Sequence, residues 1–547
     1  MKTIHNIRYS ALLSFAVLVT GALACVSCAD GDMVGMPATE PDSLAQQDDL
    51  RQLDVLKRYA PDNFKVSTLA DVSLLTGTGV EARTLYYNFN QVENDGPFSH
   101  RNVMTTAGNM MTADAADFLA AAADRGLSVY AGPLVSGDKQ NVDYLNNLIK
   151  PDVYSRDGSP LTSRCIVMTN NKTGEATEQQ VEFSFPNSVA VTPGRQYRLQ
   201  FWVKGTREGR LSLAVSGGAE FSPSISVTQE WQQVTLRTTM AAGLYTLRTI
   251  LFRLGEYAGT LYVDNFALAE RNSIGRYVNK EIDNANLDDA ETTAASIAKV
   301  EGASEGITQL TVSEVGEGYD PNTYTVEKTP QVKHDLLCRA VADYVQRMDS
   351  VISGQADAVT VVANPLDTTS LSVDNFNYQT YCGNDYAVAA FKAARASGAK
   401  LFVAEDSLLT QPSRVDDLVA YLQALEAKGA QVDGISVRVG LTTDEYDDEV
   451  ANQVMAKLAQ TGKLIRLESV EVAYPDGAPQ TQAALNAQAD VYGKLLQAYN
   501  RHVPQSQRYG ISLGRMFDGD GASSDLWTAD GNRKPAYRSI VENLLQK

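Results

Sequence analysis

Six aromatic side chains carry the clearest chemical signal in this sequence. Trp202, Trp231, Tyr245, Tyr257 and Tyr262 fall in one strand-rich stretch, and Trp527 lies in the Gly/Asp-rich loop Asp518–Asn532. Aromatic faces stack on flat apolar rings of a ligand, while nearby amides bond its polar groups. Alternate residues of a strand are core, so about half of the five strand-borne rings are expected to be packing only. For Trp527 a cleft rim and a packing role are equally open. Asp264 and Asn265 offer oxygens for a structural calcium ion, although two oxygens alone make a weak site.

A second block, Leu464–Val472 (LIRLESVEV), brings Glu468, Ser469 and Glu471 together. Side chains alternate along a strand, so Glu468 is expected to face opposite to Ser469. Glu471 shares the face of Ser469 but sits about 6–7 Å further along. A lone hydroxyl without an activating base is a weak nucleophile, and the block holds no histidine. Four histidines in the whole chain, one near its N-terminus, leave little for a His-rich metal site. No resident cofactor is expected.

The elements that position these residues follow from pattern. The 547 residues predict two to four domains. An apolar fraction of 44% with 21% charged residues excludes a disordered, collagen-like or multi-pass membrane protein. A net charge of −19 repels phosphate backbones and argues against nucleic-acid binding. Residues 51–150 alternate helix and strand, as in Thr112–Arg125 followed by Gly126 and the strand Leu127–Tyr130. Residues 151–270 change to short alternating strands such as Tyr197–Val203, Leu211–Val215 and Trp231–Leu236, a β-sandwich pattern. Residues 271–330 are acidic and poorly periodic and read as a connector. Helix–strand units resume over 331–547. The expected fold class is therefore α/β: a (β/α)8 barrel interrupted by an inserted, jelly-roll-like β-sandwich.

At the N-terminus, Lys2 and Arg8 precede the apolar run Ala11–Ala24, which has the length of a signal h-region and is too short to span a bilayer. The run ends in Ala24-Cys25-Val26-Ser27-Cys28, which resembles the lipobox of bacterial lipoproteins. Cys28 is the favoured lipid acceptor, because Ser27 precedes it and Asp30 and Asp32 follow; Cys25 is the alternative. Residues 1–28 are then a lipoprotein signal peptide and 29–50 a polar tether. The resemblance implies a protein lipid-anchored in the outer membrane, at the surface of a Gram-negative bacterium. Cys165, Cys338 and Cys382 are left for the mature chain; three is an odd number, so at least one buried thiol is expected.

The α/β part resembles glycoside hydrolase family 10, the endo-β-1,4-xylanases. Val359–Leu366 (VTVVANPL) aligns with the family's W-D-V-V-N-E-P-L, and Asn377–Tyr386 (NYQTYCGNDY) with W-x-D-Y-L-G-x-D-Y. Ala430–Ile435 (AQVDGI), Thr461–Val472 (TGKLIRLESVEV), Gln507–Ile511 and Arg533–Tyr537 follow in the family's order. Phe89–Val92, Gln140-Asn141 and Tyr144–Asn146 resemble the early barrel. The inserted segment resembles the carbohydrate-binding modules found with such xylanases, through Phe201–Gly205 and Gly259–Asn265.

The resemblance implies two catalytic carboxyls, and here the aligned acid/base position is Asn364 and the aligned nucleophile position Ser469. An amide cannot donate a proton to a departing sugar oxygen at useful rates. The sugar-gripping positions are replaced too, by Gly96–Ser99, Ala131–Asp138, Arg438–Gly440 and Gly514. Arg438 and Arg515 would meet an anionic sugar such as a glucuronate branch, or pair internally with Glu468, Glu471 or Asp518. The expected function is a non-catalytic surface protein that binds xylan or a related plant β-glycan beside other glycan-uptake proteins. Two alternatives stay open: an active endo-1,4-β-xylanase with rearranged carboxylates, and a surface scaffold or adhesin.

Overall fold

The computed structural model describes residues 42–215, 220–367, 375–475, 480–519 and 524–544. The export signal and both candidate lipid acceptors, Cys25 and Cys28, lie outside the described residues. The chain divides into two compact units. One runs up to Leu148 and resumes at Pro330; the other is Ile149–Thr329.

The first unit is a closed barrel of eight parallel strands: β1 (Lys65–Leu69), β2 (Gln91–Glu93), β3 (Ser128–Ala131), β4 (Ala356–Ala363), β5 (Lys400–Glu405), β6 (Gly434–Thr442), β7 (Leu464–Ala473) and β8 (Arg508–Leu513). They pair in chain order, and β8 returns to β1 with Ile511 opposite Val66. Parallel strands covered on both sides read as nearly unbroken apolar runs, and Ala358 to Val362 in β4 is buried at every residue. The covering helices show the 3–4 spacing of a one-sided stripe. In Pro330–Ile352 the buried residues include Leu337, Val341, Tyr344, Val345, Met348 and Ile352. Thr481 and Asp447 cap their helices by accepting backbone N–H groups, which satisfies donors the helix cannot.

The barrel interior is polar above an aromatic floor. Tyr130, Phe402 and Tyr509 pack with Ala358 at one level. Arg466 of β7 lies on the Tyr130 ring, 3.8 Å from its centroid. It donates to Glu93 of β2, to Ser436 of β6 (3.1 Å) and to Glu468 of β7 (3.2 Å). Ser512 of β8 donates to the other oxygen of Glu93. Burial pushes the Glu93 carboxyl up, against the pull of the Arg466 guanidinium.

The second unit holds two antiparallel sheets. The first has the order Gln232–Thr239, Gln196–Gly205, Gly259–Arg271, Ile166–Asn170, Ile307–Val312, with Tyr277–Asn279 beside Gly259–Arg271. The second has the order Ile297–Lys299, Gln180–Ala190, Thr246–Arg253, Gly209–Val215, Ile225–Val227. Gln196–Gly205 alternates strictly between buried and half-buried residues, the signature of one face on a core. Phe183, Phe201 and Phe252 surround Phe266 in that core.

Two expectations are corrected. Residues 271–329 are not a connector: Ile297–Lys299 and Ile307–Val312 are strands of the two sheets, and Thr323–Val326 pairs with Asp152–Ser155. Strands of three to six residues with half-exposed faces show too little alternation to be recognised. The end of the supposed tether, Asp42–Gln52, is a helix. Leu50 is buried, and Arg533 donates to the carbonyls of Leu50 and Leu53 at 2.9 and 2.6 Å. Cys165, Cys338 and Cys382 are all free thiols, and Cys165 and Cys382 are buried.

Candidate functional site

In a (β/α)8 barrel the C-terminal ends of the strands form the working face. Asn364 follows β4 directly, with φ of 49°, and Ser469 lies within β7 with φ of 45°. Left-handed backbone at a non-glycine residue is uncommon and costs on the order of 1–3 kcal/mol. At Ser469 it coincides with a break in register between Leu467 and Val470 against β8. Before that break the alternation holds, with Arg466 and Glu468 on one face. Glu468 points into the barrel, where Ser436 donates to it at 2.5 Å. Arg466 and Arg438 both pair with it, Arg438 at 3.5 Å. Arg438 is therefore internally paired. Glu471 fills the space beside Gly514, where an added Cβ would come within 2.1 Å of its Oε1.

The cavity at this face is lined by Pro133, Asp138, Asn364, Arg438 and Glu468 among others. It leaves about 10 Å³ to a water-sized sphere, the threshold for a single water. Beside it, Asn364 Nδ2 donates to Asp406 at 3.2 Å, and Arg414 bonds both Glu405 and Asp367. Burial raises the Glu405 carboxyl to about 7, with Arg414 opposing. The oxygens of Asp367, Glu405 and Asp406 lie within 4.8 Å of one another, and a guanidinium already sits among them.

On the sandwich, the outer face of the first sheet carries Trp202, Lys204 and Tyr262. Tyr319 lies flat on Trp202, with centroids 3.6 Å apart and planes at 12°. Trp231 meets Tyr319 edge-on at 6.0 Å. Asp264 holds the covering loop: its oxygens accept the N–H groups of Asn265 (2.7 Å) and Tyr319 (2.6 Å). Asn265, at φ 56°, donates to the Tyr319 carbonyl at 3.2 Å. Burial pushes the Asp264 carboxyl up to about 8 despite these bonds. The pair proposed for calcium thus anchors a loop.

Residues 321–543 match glycosyl hydrolase family 10. No curated protein matches the chain by sequence. Among solved structures it is similar to xylanase B from Clostridium stercorarium F9, with TM-score 0.50 and 12% identity over 90% of this chain and 100% of that one. It is also similar to native xylanase10C from Cellvibrio japonicus, with TM-score 0.51 and 15% identity over 90% of this chain and 73% of that one. At such identities the likeness shows the fold alone.

Within the family 10 match, Asn364 and Arg438 reach the same cavity. Three of the six aromatic candidates, Trp202, Trp231 and Tyr262, gather on one sheet face. Tyr245 is exposed, at 70%. Tyr257 and Trp527 are corrections, at 1% and 4% exposure. The Tyr257 ring fills the space that Gly205 and Gly209 leave, and Trp527 packs against Phe89, Phe517 and Tyr537. Neither offers a face to a ligand. Two residues were missed, Lys204 and Tyr319. Lys204 was legible as the outward residue two after Trp202; Tyr319 was hidden in the supposed connector.

Proposed function

We propose that this chain binds xylan or a related plant β-glycan without cleaving it. The observation that carries the reading is the state of the barrel rim. Retaining glycosidases need a protonated acid and a free carboxylate about 5–5.5 Å apart. Asn364 and Ser469 stand where the family resemblance places those two groups, and Glu468, which does line the cavity, is tied to two guanidinium groups. Glycan contact then falls to the sandwich face that carries Trp231 and Tyr262.

The lipobox-like Val26-Ser27-Cys28 supports an outer-membrane lipid anchor, which would hold the glycan near hydrolases and an importer. The enzyme reading would draw on the carboxylates at this rim, Asp138 and Glu468 in the cavity lining and Glu405 and Asp406 beside Asn364.

Affinity electrophoresis of the full chain in xylan-containing native gels tests binding. Retarded migration is expected. Trp231→Ala should weaken it by about 1–3 kcal/mol, the worth of one stacking partner. Unretarded native protein would favour the scaffold reading.

A further inference from the structure

The outer face of the first sheet sets three side chains in one row across three neighbouring strands. Lys204 stands directly opposite Tyr262 in the register, and Trp231 immediately precedes the strand on the other side, whose Gln232 pairs with Val203. The Lys204 ammonium lies 4.8 Å from the Trp231 ring centroid and 4.9 Å from that of Tyr262. Rings on both sides favour a cation but carry no net counter-charge.

Among the described residues no carboxylate bonds Lys204. Glu317 and Glu230 are close enough to be felt, and Glu317 is already bonded to Lys150 at 2.7 Å. Burial holds the ammonium below the ordinary lysine range. The next row of the same face is Gln233, Trp202 and Asp264, closed over by Tyr319. The aromatic face of this sheet therefore comes with one ammonium that no carboxylate bonds among the described residues.

We propose that Lys204, clasped by Trp231 and Tyr262, is the anion-receiving point of the glycan-binding face, and that the ligand is an acidic, uronate-bearing glycan. This rests on the reading that the chain binds glycan at all. A sugar ring stacked on Trp231 or Tyr262 can bring its carboxylate to the ammonium. The resulting charge-assisted hydrogen bond forms where the rings exclude water, and such bonds are about twice as strong as neutral ones. A neutral glycan stacks on the same rings and leaves the ammonium unpaired.

The test is calorimetric titration of the full chain with a glucuronate-substituted xylo-oligosaccharide and with the same backbone unsubstituted. The substituted glycan is expected to bind about 10-fold to 100-fold tighter, the worth of one hydrogen bond to a charged group. The preference should shrink as salt is raised. Lys204→Gln should remove the difference between the two glycans, and Lys204→Arg should restore it. Equal affinities in the native protein, or a preference that survives Lys204→Gln, would overturn the inference and leave the binding function standing. Binding of neither glycan would sink both.

Discussion

Replacing Arg466 with methionine is expected to destabilise the barrel by about 3–5 kcal/mol. Arg466 is fully buried and joins three strands: its guanidinium meets Glu93 on β2, Ser436 on β6 and Glu468 on its own β7. Forming such a cluster gains little over an apolar core of the same volume, because desolvation offsets the attraction. Breaking it is different. Methionine would leave Glu93 buried without its cation and Glu468 with Arg438 alone, so Glu93 would have to protonate or take in water. Urea unfolding of the variant measures the loss. Adding Glu93→Gln should return part of it, since the double variant no longer buries that unpaired charge. A loss below about 1 kcal/mol for Arg466→Met would show that the cluster is not what fills the barrel.

Phe266→Ala is expected to cost the sandwich a similar amount, about 3–5 kcal/mol. Phe266 stacks on Phe183 at 4.7 Å and 25° and touches Phe185, Phe201 and Phe252 at centroid distances of 6.5, 5.4 and 6.4 Å. These rings come from both sheets, so truncation opens a cavity at the seam between them, and stiff β-strands collapse poorly into such a gap. The chain's three tryptophans make the effect readable. In a Trp527→Phe background the two that are left, Trp202 and Trp231, both report the sandwich. Their unfolding transition should move to lower denaturant by that amount. An unchanged midpoint would mean that the aromatic cluster does not hold the sheets together.

How far the sequence alone carries depends on length and burial. The long helix Pro330–Ile352 and the strand Ala356–Ala363 bury enough residues in regular positions to print their period on the sequence. Ile297–Lys299 is three residues long and cannot. The site was harder for a different reason. Ser469 has a left-handed backbone with a register break beside it, and serine is not a residue that announces such a conformation. Glu468 lies before that break and faces inward with Arg466, two residues earlier, as alternation requires. Tyr257 and Trp527 show the second limit. Aromatic identity marks a candidate, but whether a hole waits beneath it depends on Gly205 and Gly209 in one case and on Phe89, Phe517 and Tyr537 in the other. Tyr319 shows the third. It reaches Trp202 through a loop pinned by Asp264, and sequence distance conceals that contact.

The proposal that the barrel leaves xylan uncut is reached by one assay. Full-length protein is incubated with xylan and reducing ends are followed over hours. The account predicts a trace indistinguishable from buffer, because Asn364 and Ser469 supply neither a proton nor a nucleophile and Glu468 is held by Arg466 and Arg438. Release that is linear in time, proportional to protein and abolished by Glu468→Gln would contradict it.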